Sequence, residues 1–175
     1  MNNSVMAWGA IAVLLFWSIG AYNRLMRLRS QGIAAFAALE ALFNQHLLMV
    51  KTHFSDSGDD PACAARAGLA AAAEQFNASL KVARVQPLNG AVMSALKTAH
   101  ETLSLSWSRL QDLPPDLAGP ALPLTLQSEW EQVQRQAEAA RIEFNRLVTN
   151  YNDAIAQFPA MMLATVFGFK PAQPI

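Results

Sequence analysis

Few side chains in this chain are of types that could carry out chemistry, and the first to consider are two histidines, His46 and His53. They are seven residues apart, so on a helix they share a face but are separated by two turns, which is too far for both to bind one metal ion readily. No His-x-x-x-His or Glu-x-x-His spacing accompanies them. We therefore expect no metal site.

The aspartates and the single cysteine also favour structural roles. Asp56, Asp59 and Asp60 lack the alternating spacing and the distal glutamate of a calcium-binding loop. Asp60 followed by Pro61 is typical of the start of a helix, where aspartate caps the first turn and proline occupies the first helical position. Cys63 would lie in that first turn, a position at which reactive cysteines occur. No histidine is near Cys63 in sequence, and we interpret it as a structural cysteine.

No other pattern indicates catalysis or a cofactor. Glu40, Arg141 and Glu143 could pair inside a helical bundle, but nothing sets a catalytic geometry among them, and phosphate-binding glycine loops and nucleophile elbows are absent. The net charge is zero and no basic stripe alternates with aromatic residues, which argues against nucleic acid as a partner. We predict a protein that is not an enzyme and has no cofactor, nucleic-acid partner or metal.

The N-terminal segment is the strongest feature of the sequence. Residues 1–23 carry no charged side chain, and the 17 residues of segment 5–21 include Ser18 as their only polar side chain. As a helix this segment spans about 26 Å, close to the roughly 30 Å hydrocarbon core of a bilayer. We therefore predict a transmembrane anchor over residues 1–22 that contacts the lipid bilayer through residues 5–22.

The arginines that follow the anchor indicate its orientation. Arg24, Arg27 and Arg29 lie directly after the apolar segment and no basic residue precedes it, which favours a cytoplasmic C-terminal side. A cleaved signal peptide would have its basic region first, and the core helix of a soluble protein rarely runs this far without a charge. The single cysteine, which cannot form an intramolecular disulfide, agrees with a cytoplasmic domain. A periplasmic domain remains the alternative.

Residues 23–158 show the pattern of an all-α domain. Apolar residues recur at spacings of three and four, and glycine and proline cluster between four segments instead of inside them. We predict helices that continue from the anchor to about Phe54, from Asp60 to about Arg84, from the turn at 86–90 to about Asp112, and from Pro123 to Phe158. Such helices form an up-down antiparallel four-helix bundle, here with long first and last helices.

The fourth helix has the most regular pattern and returns the chain to the membrane. Its apolar stripe alternates steps of three and four through Trp130, Val133, Ala137, Ala140, Phe144, Leu147, Tyr151, Ala154 and Phe158. Because four helices alternate in direction, Phe158 should lie beside the start of the first helix. Residues 159–175 form an apolar, membrane-proximal tail and C-terminus, in which 159–169 either lie on the membrane or cover the end of the bundle.

Motifs at both ends of the chain resemble the LemA family. Tyr22-Asn23 after the anchor, the Arg24–Arg29 segment, the run Tyr151-Asn152 to Phe158-Pro159 and the closing Phe167-Gly168-Phe169 carry the resemblance. Phe144-Asn145 stands where the family usually repeats its Tyr-Asn pair. The resemblance implies a bacterial inner-membrane protein with one transmembrane helix, a cytoplasmic long-helix bundle and no established biochemical activity. The family-motif residues, our candidate interaction residues, are Tyr22, Asn23, Asn145, Tyr151, Asn152, Phe158, Pro159, Gly168 and Phe169.

These residues also have roles that follow from their chemistry. Tyr151 lies in the apolar stripe, so its ring should be buried and its hydroxyl should have one hydrogen-bond partner. We expect the amides of Asn23, Asn145 and Asn152 to form a polar cluster that fixes the register of the helices; the alternative is that they bind a ligand. The predicted function is accordingly a membrane-anchored, non-enzymatic protein-interaction or scaffold module with an unknown protein partner. The alternative is a ligand-sensing bundle coupled to the anchor.

Overall fold

The computed structural model describes residues 2–54, 63–113 and 122–175, and within them the chain is helical without a strand. The helices are α1 (Asn2–His53), α2 (Cys63–Val85), α3 (Gly90–Gln111), α4 (Leu124–Ala156) and α5 (Ala160–Val166). The predicted all-α class is confirmed, as are long first and last bundle helices. The predicted start of α2 at Asp60-Pro61 and the aspartates Asp56 and Asp59 lie outside the described residues.

Helix α1 is one uninterrupted helix whose N-terminal part is exposed and whose later part contributes to the core of the bundle. Apolar side chains such as Phe16 and Leu14 are exposed in its N-terminal part, whereas Leu25 and Leu39 further along are fully buried. By length and composition alone, this helix is apolar enough to cross a membrane. The exposed apolar part lies where the sequence predicts an anchor.

Helix α1 packs antiparallel to both α4 and α2. The ring of Phe36 in α1 lies 5.8 Å from that of Phe144 late in α4. Ten residues further along α1, the ring of His46 lies 4.2 Å from that of Trp130 early in α4. On the side of α2, Phe43 lies 5.1 Å from Phe76 between ring centroids, whereas Glu40, earlier in α1, pairs with Arg84, later in α2, at 3.6 Å. These reversed orders agree with the predicted up-down arrangement.

Helix α3 packs against α2 and stays away from the backbone of α4. No Cα atom of α3 lies within 8 Å of a Cα atom of α4, although both helices are described completely. At one end the space between them is closed by Trp107 and Trp130, whose rings stack 3.9 Å apart with 7° between their planes. The other end is occupied by the C-terminal segment, residues 170–175.

A compact turn over residues 86–89 joins α2 to α3. Asn89 caps α3 because its side-chain oxygen accepts hydrogen bonds from the backbone N–H groups of Ala91 and Val92, at 3.1 and 3.3 Å. Its amide nitrogen donates to Gln86 at 3.0 Å. Leu88 of this turn would lie 3.4 Å from a Cβ atom at Gly32, so the turn packs directly against α1.

The end of α4 differs from the sequence prediction. The helix ends at Ala156 instead of Phe158, and Phe158 is 78% exposed instead of buried. Because the chain leaves the helical path after Gln157, the three-four spacing no longer determines which way residue 158 faces. Val148 and Ile155 are buried on α4 although the predicted stripe omitted them.

Candidate functional site

Asn145 and Asn152 on α4 bind the backbone of the C-terminal segment, residues 170–175. The Asn152 amide nitrogen donates to the Ala172 carbonyl at 2.8 Å, and the Ala172 N–H donates to the Asn152 side-chain oxygen at 2.8 Å. Asn145 forms the same pair of bonds with Ile175, both at 2.9 Å. Each amide thus pairs with both the donor and the acceptor of one residue.

The spacings of the two partners match. Seven residues of α-helix separate Asn145 from Asn152, which is about 10.5 Å along the axis. Ala172 and Ile175 are three residues apart, and a proline-type extended chain advances about 9 Å over that distance. Pro171 and Pro174, which precede the two bonded residues, favour this extended backbone. Consequently Ala172 and Ile175 share one face of the segment and are both buried.

Two more side chains of α4 hold the segment. Tyr151 is buried, and its hydroxyl donates to the Lys170 carbonyl at 3.0 Å, which confirms the predicted buried ring with one partner. Burial raises the pKa of Tyr151, so the hydroxyl keeps its proton and acts as a donor. Arg141 donates to the backbone oxygen of Ile175 at 2.9 Å.

The arginine is oriented by a neighbouring carboxylate. Arg141 donates two hydrogen bonds to Glu138 one turn earlier on α4, at 2.8 and 2.6 Å, in a bidentate pair. The hydrogen bond from Arg141 lowers the pKa of Glu138, and the same bond raises the pKa of Arg141. The pair therefore stays ionised and leaves one guanidinium nitrogen directed at Ile175.

The C-terminal segment also contacts α3. The side-chain oxygen of Gln173 lies 3.1 Å from the position that a Cβ atom would have at Gly90, the first residue of α3. A residue larger than glycine would crowd this contact. The segment thus joins α3 to α4 at the end of the bundle opposite to the stacked tryptophans.

A second group of predicted residues meets where α1 passes α5. The Tyr22 ring lies 4.9 Å from that of Phe167 and 6.0 Å from that of Phe169. Gly168 lies between these two phenylalanines with a φ of +70°, a conformation that glycine adopts without a steric penalty. The Phe169 N–H bonds the Ala164 carbonyl at 2.9 Å, as in a Schellman helix end. This turn places both phenylalanine rings against Tyr22.

Three predicted residues lie elsewhere. Asn23 is exposed and shares no hydrogen bond with Asn145 or Asn152, so the expected three-amide cluster is wrong; the α4 asparagines face the C-terminal segment instead. Phe158 and Pro159, which precedes α5, line a cleft of about 340 Å³. The opposite wall of the cleft belongs to α1 and includes Trp17, Arg24 and Leu25. Phe158 therefore does return to the start of the bundle, as predicted.

The buried histidines are packed among aromatic rings. His46 is fully buried, and neither ring nitrogen has a hydrogen-bond partner among the described residues. Burial, more than any charge, lowers its pKa to about 4, so the ring is neutral at neutral pH. His100 on α3 packs 4.9 Å from Phe43, and burial lowers its pKa as well. Within the described residues, no three His, Cys, Asp or Glu side chains group as metal ligands.

The sequence patterns did not identify the partners of the asparagines, Ala172 and Ile175, or the partner of Tyr151, Lys170. They did not identify the contribution of Arg141 either. A signal was present: prolines at 171 and 174 repeat at the three-residue period of extended proline-type chain, and their reach matches the seven-residue spacing of the asparagines. A match between a three-residue spacing of prolines and a seven-residue spacing of asparagines is not a standard helical pattern. Only the fold shows that the C-terminal segment and α4 lie against each other.

The fold and this site define a class: a helical-bundle protein with an apolar N-terminal helix, whose C-terminal segment binds back onto its last long helix. The LemA family model matches residues 65–174, more than half of the chain, and the protein belongs to the LemA family. The match extends through α2 and α3, beyond the motifs noted near the chain ends, whereas Tyr22 and Asn23 lie outside it. No curated protein and no solved structure shows a match.

Proposed function

We propose that this LemA-family protein is a non-enzymatic protein-interaction or scaffold module of the bacterial inner membrane. In this proposal the N-terminal part of α1 anchors the chain in the bilayer and the bundle lies in the cytoplasm. The exposed apolar side chains of α1 before Tyr22 support the anchor, since water is a poor environment for such a surface. The arginines after it support the orientation.

The observation that carries the proposal is an apolar groove on the outer face of α2 and α3. It has a volume of about 410 Å³ and is lined by Ala78, Ser79, Val82, Ala91, Val92 and Ala95. Small side chains on two adjacent helices leave a shallow apolar channel, and a helix of another protein can place its apolar face in such a groove. Val82 is half exposed there and is the largest exposed apolar side chain of the lining.

Co-purification of the full chain from solubilised membranes tests this function. We expect one protein to be retained in constant proportion by the wild-type chain and lost from Val82→Glu, because a carboxylate in the groove would have to be desolvated. Leu105→Glu is the matched control, since Leu105 is an exposed apolar residue of α3 outside the groove. Both variants should keep the wild-type helical circular dichroism. Retention of the protein by Val82→Glu, or the absence of any retained protein, would overturn the proposal.

The alternative function, a ligand-sensing bundle, is supported by unsatisfied polar atoms in the core. Both nitrogens of His46 and the side-chain oxygen of Gln134 are buried without a hydrogen-bond partner among the described residues. A small polar molecule that entered the bundle could satisfy them and thereby repay their desolvation. Native mass spectrometry of the purified full chain tests this alternative: a bound small molecule that His46→Leu loses and His53→Leu keeps would favour sensing over the module.

A further inference from the structure

Helix α5 presents an apolar face to its surroundings. Leu163 and Ala164 face the bundle and are partly or fully buried, whereas Met162 is 61% and Val166 78% exposed. Phe158, just before the helix, is exposed to the same degree as Val166. No residue from 158 to 169 is charged. A short helix that buries one apolar face and exposes another needs a second apolar environment.

The position of α5 indicates what covers its exposed apolar face. Its C-terminal end contacts α1 at Tyr22, through Phe167. At its N-terminal end, residues 158–160 face α1 residues 17–25 across the cleft. The whole helix therefore lies beside the point where the exposed apolar part of α1 ends, and its exposed face continues that apolar surface sideways.

Basic side chains lie near the contact between α5 and α1. Arg24 and Arg27 are exposed, and neither forms an ion pair within the described residues. Lys170, four residues after α5, is exposed as well. Asp153 near the end of α4 is acidic and exposed, and no ion pair joins it to another described residue. The local charge is positive on balance, which favours an anionic surface.

We infer that α5 and Phe158 form a second lipid-contact surface beside the anchor. The exposed face of α5 lies among the acyl chains at the boundary of the bilayer, and Arg24, Arg27 and Lys170 bind the phosphates of anionic phospholipids. This inference rests on the proposed membrane anchor, because α5 reaches a bilayer only if the N-terminal part of α1 spans it. This second contact holds the bundle against the membrane. With the anchor in α1 as its single attachment, the bundle could change its orientation relative to the membrane.

Depth-dependent fluorescence quenching on the full chain tests the inference. In a Cys63→Ser background, an environment-sensitive fluorophore is attached at Met162→Cys, with Phe16→Cys as the anchor reference and Leu105→Cys as the aqueous reference. Each labelled protein is reconstituted into vesicles of phosphatidylcholine and phosphatidylglycerol with brominated acyl chains. We expect a loss of emission at position 162 comparable to the loss at position 16, and no loss at position 105.

The outcomes separate the two proposals. Unquenched fluorophore at position 16 would overturn the anchor itself. Quenching at 16 without quenching at 162 would overturn the lipid-contact surface alone, as would a blue-shifted but unquenched label at 162, which would indicate a protein cover. Replacing phosphatidylglycerol by the neutral lipid, or combining Arg24→Gln with Arg27→Gln, should reduce the quenching at 162 and leave that at 16 unchanged. Equal quenching at 162 in all these conditions would overturn the role of the anionic headgroups.

Discussion

Single side-chain amides carry much of the binding between α4 and the C-terminal segment. Asn152 makes two hydrogen bonds to Ala172, so Asn152→Ala removes both and leaves a buried backbone N–H and carbonyl without these partners. We expect the free energy of unfolding to fall by about 2 kcal/mol, at roughly 1 kcal/mol for each bond. Chemical denaturation of the full chain in detergent, followed by circular dichroism, measures this change.

The same helix supplies the control for that measurement. Asn150 is an exposed asparagine of α4. Asn150→Ala should change the free energy of unfolding by less than about 0.5 kcal/mol, as is usual for an exposed substitution. Equal losses in the two variants would mean that the bonds to Ala172 contribute nothing beyond the helix itself.

His46 makes stability depend on pH in a defined direction. Its pKa in the folded chain is about 4, against an ordinary value of 6.5, so the unfolded chain binds more protons between these two pH values. Stability is therefore complete above about pH 6.5 and is lost as the pH falls toward 4, by on the order of 3 kcal/mol. His100, whose pKa is also lowered by burial, acts in the same direction.

Unfolding of three proteins between pH 7 and pH 4 checks this dependence. His46→Leu should flatten most of the slope, because it replaces the buried imidazole by a side chain that does not titrate. His53→Leu should keep the wild-type slope, since His53 is exposed. If His46→Leu and the wild-type chain lose stability equally, the slope comes from other groups.

The sequence determined the burial of single residues better than their partners. Tyr151 could be placed in the core because its neighbours on α4 repeat every three or four residues. The partners of Asn145 and Asn152 could not be found that way, because they lie 30 and 20 residues further along the chain. They come within reach only after the chain has turned back along α4 over residues 157–169. A periodic pattern describes a face of one helix and contains no information on which distant segment covers that face.

At the scale of elements, the C-terminal segment links α3 to α4 at the end of the bundle opposite to the Trp107–Trp130 stack. Removing residues 171–175 takes away the hydrogen bonds to Asn145 and Asn152 and the contact of Gln173 with Gly90. The shortened chain keeps its N-terminal segment and lacks only residues 171–175. In it we expect the backbone amides of residues 90–99 to exchange with deuterium faster than in the wild-type chain, because that end of α3 loses its link to α4. Amides at residues 36–43, which pack against α2 and α4, should keep their exchange rates.

Pro174→Ala is the control for the shortened chain. Pro174 is exposed, and its replacement leaves Ala172 and Ile175 able to make their bonds. Exchange at residues 90–99 should stay close to the wild-type rate in this variant. Unchanged exchange in the shortened chain would instead show that the tryptophan stack and α2 suffice to hold α3.

The helix bounds could be predicted where a period and its interruption are both visible. The turn at 86–89 and the proline before α4 delimit helices that the structure places within a few residues of the prediction. The prediction failed at the end of α4, where Phe158 continues the spacing but not the helix. The path of residues 157–175 combines a short helix, a left-handed glycine and an extended segment. These three features do not follow one repeating spacing of apolar residues, so the sequence pattern does not predict their path. Their arrangement depends on packing against the folded bundle.

At the scale of the whole molecule, the two ends of the bundle differ. One end is closed by the buried rings of Trp107, Trp130 and His46. The other collects Tyr22, α5, the cleft beside Phe158 and the exposed arginines around Arg24. The up-down order followed from the sequence because each connection reverses the chain. The gap between α3 and α4 did not, since it depends on how far the helices are pushed apart by the side chains between them.

The proposed orientation in the membrane predicts that the C-terminus of the chain lies in the cytoplasm. Alkaline phosphatase is active only after export, whereas green fluorescent protein exported in unfolded form does not fluoresce, so a fusion of each after Ile175 through a flexible linker reports the side of the bundle. In a Gram-negative host we expect fluorescence and no phosphatase activity, because Arg24, Arg27 and Arg29 favour the cytoplasmic side. Replacing these arginines by asparagine and adding lysines before the apolar segment should raise phosphatase activity and lower fluorescence. An active phosphatase fusion to the unaltered chain would place the bundle outside the cytoplasm and overturn the orientation, while the contacts between α5, α4 and the C-terminal segment would be unaffected.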